Sequence, residues 1–214
     1  MKKQINIAVD IETLSKRSTA AIIGIAARAF DPNGGCVEGE EKGFHVAIDA
    51  TSCAMFGMDF DPGTVEWWSK KPEEVKKQFD NTEKIKSALS QLSIFIEDMK
   101  LANDADEVII WCQGTDFDIP ILRNAFVCVN NDREEKTLPW KYSNVRDSRT
   151  FILDTITRFI APGTEDPYSL IPKREGWKTH DALSDVDQLI HNVEWVSRRL
   201  NDLLAQKGVK GGER

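Results

Sequence analysis

The feature that most constrains this chain is an apolar strand pattern that ends in acids. Residues 5–11, Ile-Asn-Ile-Ala-Val-Asp-Ile, carry apolar side chains on both faces near the end of the run, and Glu12 follows. A strand covered on both faces sits centrally in a sheet. Residues i and i+2 of a strand project from one face, so Asp10 and Glu12 share a side. Two carboxylates there are costly to desolvate unless something positive balances them, and a metal ion does so. The same pattern also fits an exposed strand end with two solvated acids. Deciding between the two requires the rest of the chain.

A second apolar run, 20–30, stops at Asp31-Pro32-Asn33-Gly34-Gly35, a turn signal, and residues 43–48 read as a third strand. Three strands joined this way predict an antiparallel meander. Residues 62–79 hold short helices, with Pro62 before the first and Pro72 starting the second. Ile85, Leu89, Leu92, Phe95, Ile96 and Met99 recur at helical spacing over 82–100, with Thr82 as N-cap. Residues 107–112 read as another buried strand, 118–128 as a helix with Pro120 in its first turn, and 129–143 as a loop. A helix near 147–160 follows, then a loop over 161–179 containing Pro162, Pro167 and Pro172, then a long helix over 181–206. The tail 207–214, rich in glycine and lysine, reads as disordered. With no repeat, linker or second core, residues 1–206 read as a single α/β domain with a mixed sheet.

Composition excludes several classes. No apolar run approaches the roughly 18–20 residues that cross a bilayer, and no h-region with a cleavage site opens the chain. The chain therefore reads as cytoplasmic, with no membrane partner. Its net charge of −7 argues against a sequence-independent grip on long DNA through many phosphate contacts. It does not argue against an enzyme that holds a few nucleotides through metal ions. Residues 133–178 carry nine basic and seven acidic residues, a modestly basic segment on an acidic chain. Of Cys36, Cys53, Cys112 and Cys128, no two stand at C-x-x-C spacing, so a zinc site is not expected. Cys112 and Cys128 read as small buried hydrophobes.

Two further acidic positions fall where elements change. Asp116-Phe117-Asp118 follows the strand ending at Cys112, a usual place for a site in an α/β fold. An acid at a helix N-terminus also simply favours the dipole. At the start of the last helix stand His180-Asp181-Ala182-Leu183-Ser184-Asp185. At 100° per residue, Asp185 lies about 20–60° from Ala182, Leu189, Val196 and Leu200, on the edge of the apolar arc. Asp187 falls on the far side and reads as solvated. His45 and His191 suggest no function.

Taken together and in this order, these motifs resemble the DEDD-type exonucleases of the histidine subclass, DEDDh. The first motif, D-x-E, is matched by Asp10-Ile11-Glu12-Thr13. The second, Phe-Asp before apolar helix residues, is matched by Phe117-Asp118-Ile119-Pro120-Ile121-Leu122. The third, H-x-x-x-x-D with alanine two after the histidine, is matched by His180, Ala182 and Asp185. The bacterial and phage branch of exoribonuclease-like and exodeoxyribonuclease-VIII-like proteins is the most similar. Thr64-Val65-Glu66-Trp67-Trp68 and Arg146-Asp147-Ser148-Arg149-Thr150 look like further marks of it. Trp67 and Trp68 fit either core packing or a substrate-side role. Arg146 and Arg149 fit either pairing with nearby acids or contact with phosphate.

The resemblance implies a ribonuclease-H-like fold, a mixed five-stranded sheet flanked by helices. It implies 3′→5′ hydrolysis of terminal phosphodiesters of RNA or DNA, mainly at single-stranded ends, releasing nucleoside 5′-monophosphates. Two divalent ions, Mg²⁺ or Mn²⁺, would sit about 3.5–4 Å apart. Asp10 would bridge them, Glu12 and Asp185 would hold the ion carrying the attacking water, and Asp118 would support the other. His180 would take the proton. Thr13 and Leu14 would pack against the terminal nucleotide, and Arg146 and Arg149 would meet phosphate. A homo-oligomer also fits, since many relatives form symmetric assemblies in which a neighbour helps hold substrate. Gln113, Leu14-Ser15 and a competing Asp116 depart from the common pattern. The alternative is an inactive nucleic-acid-binding or protein-interaction module on the same fold, against which the complete set of acids and histidine argues.

Overall fold

A computed structural model describes residues 2–208. The apolar run that opens the chain forms its central strand, β1 (Gln4–Thr13). β2 (Ile22–Phe30) pairs antiparallel with one edge of β1, and β3 (Phe44–Ala47) pairs antiparallel with β2. This is the expected meander. Three short helices follow: α1 (Ala50–Ala54), α2 (Pro62–Ser69) and α3 (Glu73–Lys76). The long α4 (Ile85–Ala102) leads to β4 (Glu107–Cys112), which lies parallel to the other edge of β1. Next come α5 (Asp118–Asn130) and β5 (Val145–Asp147), parallel to β4. α6 (Ser148–Thr155) runs into a π-helical turn, and α7 (Ala182–Gln206) closes the fold. The strand order β3-β2-β1-β4-β5 makes a mixed five-stranded sheet with β1 in the middle, the α/β architecture expected of a ribonuclease-H-like chain.

Alternation along β1 sorts the helices onto two faces. Ile5, Ile7, Val9 and Ile11 join one core with Ile85, Leu89, Leu92 and Ile96 of α4 and Leu122 and Phe126 of α5. Ala8 faces the second core, built with Ile152 of α6 and Ala182, Val186, Leu189, Val193 and Val196 of α7. Asp10 and Glu12 continue the Ala8 face. They therefore point toward the layer that α7 covers, and α7 begins at Ala182, close to them in the fold.

Several expectations need correction. β5 is three residues long, too short to give a periodic signal, and the sequence-based reading ran loop straight into helix there. Thr82 does not cap α4: the helix starts at Ile85, whose N–H donates to Ser52 Oγ of α1 at 2.9 Å. Asp187 is not solvated. It accepts from Arg28 Nε at 2.7 Å and Arg174 at 2.9 Å, joining β2, the 161–179 loop and α7. The helical wheel could not reveal this, because both partners come from elsewhere in the chain. Of the tail, Lys207 and Gly208 form a turn after α7, and 209–214 lie outside the described residues. Among the described residues no helix is long and apolar enough to cross a membrane.

Asp187→Ala leaves two half-buried guanidinium groups without their shared acceptor. A loss of about 1–3 kcal/mol in urea unfolding is expected, with a smaller loss for Asp187→Asn. An unchanged midpoint in Asp187→Ala would restore the solvated reading of that residue.

Candidate active site

The β1–β4 ladder ends at Ala8 and Trp111, while β1 runs on, paired only with β2 on its other side. Asp10 and Glu12 therefore lie beyond the β4 ladder, at the carboxyl ends of two parallel strands. Crevices form there in α/β folds because the connecting segments diverge. Small residues stand opposite the acids on β2: Ala26 faces Asp10 and Gly24 faces Glu12. A Cβ on Gly24 would come within 3.2 Å of the Phe79 ring and 3.6 Å of Glu12 Cβ, so glycine keeps room for the Glu12 side chain. The strand register shifts between Glu12 and Thr13, a bulge that re-aims the chain next to the site.

The second carboxylate arrives through the turn after β4. Gly114, at φ +111°, lets the chain reverse, and Asp118 enters the first turn of α5, 4% exposed. Asp116 is exposed, so burial favours Asp118 of the two candidates. Asp147 fastens the turn by accepting from Thr115 N–H and Thr150 N–H, both at 2.8 Å.

The third motif opens α7. Asp185 accepts from the His180 N–H at 2.9 Å and from the Trp177 indole N–H at 2.8 Å. His180 has φ +65°, a left-handed conformation that non-glycine residues seldom adopt without support. Gln78 supplies it. The Gln78 amide donates to the His180 carbonyl at 2.5 Å and accepts from Ala182 N–H at 3.0 Å, bridging the turn into α7. Glu12, His180 and Asp185 each offer a ligand atom, and the three lie within 4.8 Å of one another, a group that could hold a metal ion.

The electrostatics are those of an unbalanced acid cluster. Burial, then the charges of Asp118, Glu12 and Asp185, holds the Asp10 carboxyl well above the usual carboxylate range. Burial, followed by Asp185 and Asp118, pushes Glu12 up to about 8. Burial lifts Asp118 to about 7, opposed by its own backbone N–H and by Arg149. Burial also raises Asp185, against the hydrogen bonds from Trp177 and His180. His180 is lowered, by burial first and Lys71 next, with Asp185 opposing. Hard oxygen donors in a desolvated cluster fit a divalent cation, which removes the penalty on every one of them.

A cleft of about 650 Å³ opens beside Glu12, lined by Thr13, Arg17, Thr64, Trp67, Trp68 and Phe117 among others. The tryptophan doublet divides its roles. Trp68 is buried and donates its indole N–H to the Thr13 carbonyl at 2.9 Å, while Trp67 is 43% exposed on the cleft wall. Both rings meet His180 edge-on, at 4.9 and 6.3 Å between centroids. Of the other predicted positions, Thr13 lines the cleft, whereas Leu14 packs against the first core. Arg149 is exposed and close enough to act on Asp118. Arg146 is exposed and bonds the Ser143 and Val145 carbonyls. Sequence reasoning missed Gln78 and Lys71, which reach the site from a distant segment, and Trp177, whose bond to Asp185 spans the irregular turn before α7.

A family model described as the 3′-5′ exoribonuclease Rv2179c-like domain matches residues 5–198. The chain belongs to this Rv2179c-like family. It is a 3′-5′ exonuclease of the DEDD superfamily. An exodeoxyribonuclease of Enterobacteria phage T4 is 28% identical over 209 residues, covering 89% of this chain and 88% of its own. Among solved structures, E. coli exonuclease I in complex with a dT13 oligonucleotide matches with a TM-score of 0.63 at 15% identity. That match covers 95% of this chain and 43% of that one. The zinc-bound form of an E. coli exonuclease I complex with single-stranded DNA gives 0.61 at 16% identity, covering 96% and 43%. These two likenesses show the fold, and this Rv2179c-like chain spans less than half the length of either enzyme.

Glu12 and Asp118 bind protons more tightly in the folded state than in the unfolded chain. The metal-free fold gains from them below the unfolded carboxylate range, about pH 4. It loses that gain as pH rises through about 7 and about 8. The melting temperature of the metal-free protein is expected to fall across that window, and Glu12→Gln to flatten the fall. A flat profile in the unsubstituted protein would contradict the buried acid cluster.

Proposed function

We propose that this chain hydrolyses the terminal phosphodiester at 3′ ends of single-stranded RNA or DNA and releases nucleoside 5′-monophosphates. Asp10, Glu12, Asp118 and Asp185 would hold two divalent ions, Mg²⁺ or Mn²⁺, and His180 would be the general base. One observation carries this reading: residues from motifs 175 positions apart at the extremes (Asp10 and Asp185) converge on one crevice, with Glu12, His180 and Asp185 within 4.8 Å and Asp118 close enough to act on Asp10 and Glu12. Oxygen ligands favour these ions over softer metals. When bound, they would supply charge neutralisation at the phosphate and a more acidic water.

The chain's own residues do the rest. His180 has its pKa below the ordinary histidine value, so its ring is neutral at pH 7 and free to accept a proton on nitrogen. Gln78 and Asp185 fix the backbone on either side of that ring. Trp67 offers an exposed aromatic surface on which a base of any identity stacks. Thr13 would bound the terminal nucleotide, with Leu14 behind it, and Arg149 and Arg146 would meet phosphates further up the strand. The name of the matched family favours RNA, and that of the phage relative favours DNA.

Digestion of matched 5′-labelled RNA and DNA oligonucleotides, with Mg²⁺ or Mn²⁺ and with EDTA, tests the reading. A metal-dependent ladder shortening from the 3′ end is expected, and the faster substrate identifies the sugar. His180→Ala should lower kcat roughly 100- to 10,000-fold, and Asp10→Ala, Asp118→Ala and Asp185→Ala at least as much, each without unfolding. A folded, metal-loaded protein that cleaves neither substrate would instead be a binding module.

A further inference from the structure

We propose that Lys71 is a phosphate-binding residue of the cleft, its ammonium resting on the Trp67 indole until the phosphate of a bound nucleotide takes it up. The inference rests on the nucleotide-binding reading above and adds a residue that none of the three motifs contains.

Lys71 Nζ lies 3.5 Å from the centroid of the Trp67 ring. Trp67 lines the cleft, and its ring also meets the His180 ring at 4.9 Å. The ammonium is thus one indole away from the proposed base. Its charge acts on both Glu12 and His180, lowering the pKa of each. Lys71 is half-buried. The lysines flanking it in sequence are engaged: Lys70 pairs with Glu66, and Lys76 with Glu73. Among the described residues no carboxylate forms an ion pair with Lys71. Across the cleft, Arg17 is held by Asp59 at 3.2 Å.

A cation with these neighbours suits an anion that arrives and leaves. Transfer to a phosphate oxygen breaks no ion pair and only slides a flexible four-carbon stem off an aromatic face. The need is physical as well. A phosphodiester approaching Asp10, Glu12, Asp118 and Asp185 meets like charge, and a flexible ammonium on the Trp67 ring beside the cleft offsets it at short range. The chemistry recognised is a phosphate monoester or diester next to a stacked base. A free nucleotide and the end of a strand both present it.

The test compares binding of AMP and dAMP with that of adenosine, by titration calorimetry on the full chain with Mg²⁺, in wild type, Lys71→Met, Lys71→Arg and the exposed control Lys77→Gln. Lys71→Met should weaken AMP and dAMP about tenfold while leaving adenosine unchanged, and should flatten the salt dependence by about one phosphate contact. Lys71→Arg should retain most of the affinity, and Lys77→Gln all of it. On oligonucleotides, Lys71→Met should raise KM, which separates use at a strand end from use by free nucleotide alone. Equal losses for adenosine and AMP would make Lys71 a wall-building residue and overturn the proposal. So would wild-type protein that binds AMP no better than adenosine. If wild type cleaves no oligonucleotide yet binds AMP through Lys71, the hydrolytic reading fails and this one stands. If it cleaves normally and Lys71→Met changes nothing, the reverse holds.

Discussion

The structure turns on the desolvation of four carboxylates at the end of one buried strand. In all four, burial is the largest cause of the raised pKa, ahead of repulsion between the acids. The packing that excludes water is therefore the first cause of the strain on each acid, with the crowding of charge added to it. A divalent cation would relieve both effects at once, which makes the crevice an electrostatic demand as well as a set of candidate ligands. The rest of the molecule exists to keep that demand from being met by opening. β1 is paired on both sides as far as Ala8, and a large apolar core covers one face. The face bearing the acids is closed by α6 and α7.

Holding the histidine is a separate problem, solved by a separate segment. His180 needs a left-handed backbone, and the residues that stabilise it lie in 67–79. Gln78 bridges the turn, while Trp67 and Trp68 hold the ring edge-on. Phe79 packs against Trp68 and presses toward Gly24, opposite Glu12. This segment thereby connects the first motif to the third, more than 160 residues apart in the chain. It also supplies Trp67 and Trp68 to the cleft wall, so one short stretch governs both the placement of His180 and the shape of the cleft.

That division separates chemistry from recognition. The acids project from the sheet and from the starts of α5 and α7, elements that the cores hold rigid. The cleft wall includes Thr64 and Trp67 of α2, which belong to neither core. Activity on RNA and activity on DNA can thus arise on one acid constellation by changes in the wall. In this chain the wall carries an exposed indole with the Lys71 ammonium 3.5 Å from its ring centroid.

The sequence by itself determined the central strand, the meander and the order of the longer helices, and it named five candidate residues in three motifs. The reason is that period-2 and period-3.6 burial and short fixed spacings are local properties. The short β5 escaped it because three residues carry no period. Asp187 was misread because a helical wheel knows its own helix and nothing of Arg28 or Arg174. The burial of Asp118 against the exposure of Asp116, the split between Trp67 and Trp68, and the contacts of Gln78, Trp177 and Lys71 came from tertiary structure alone. Most depend on which segments of distant sequence meet around the end of β1, and burial and hydrogen bonding there come into being only when the two sheet faces close.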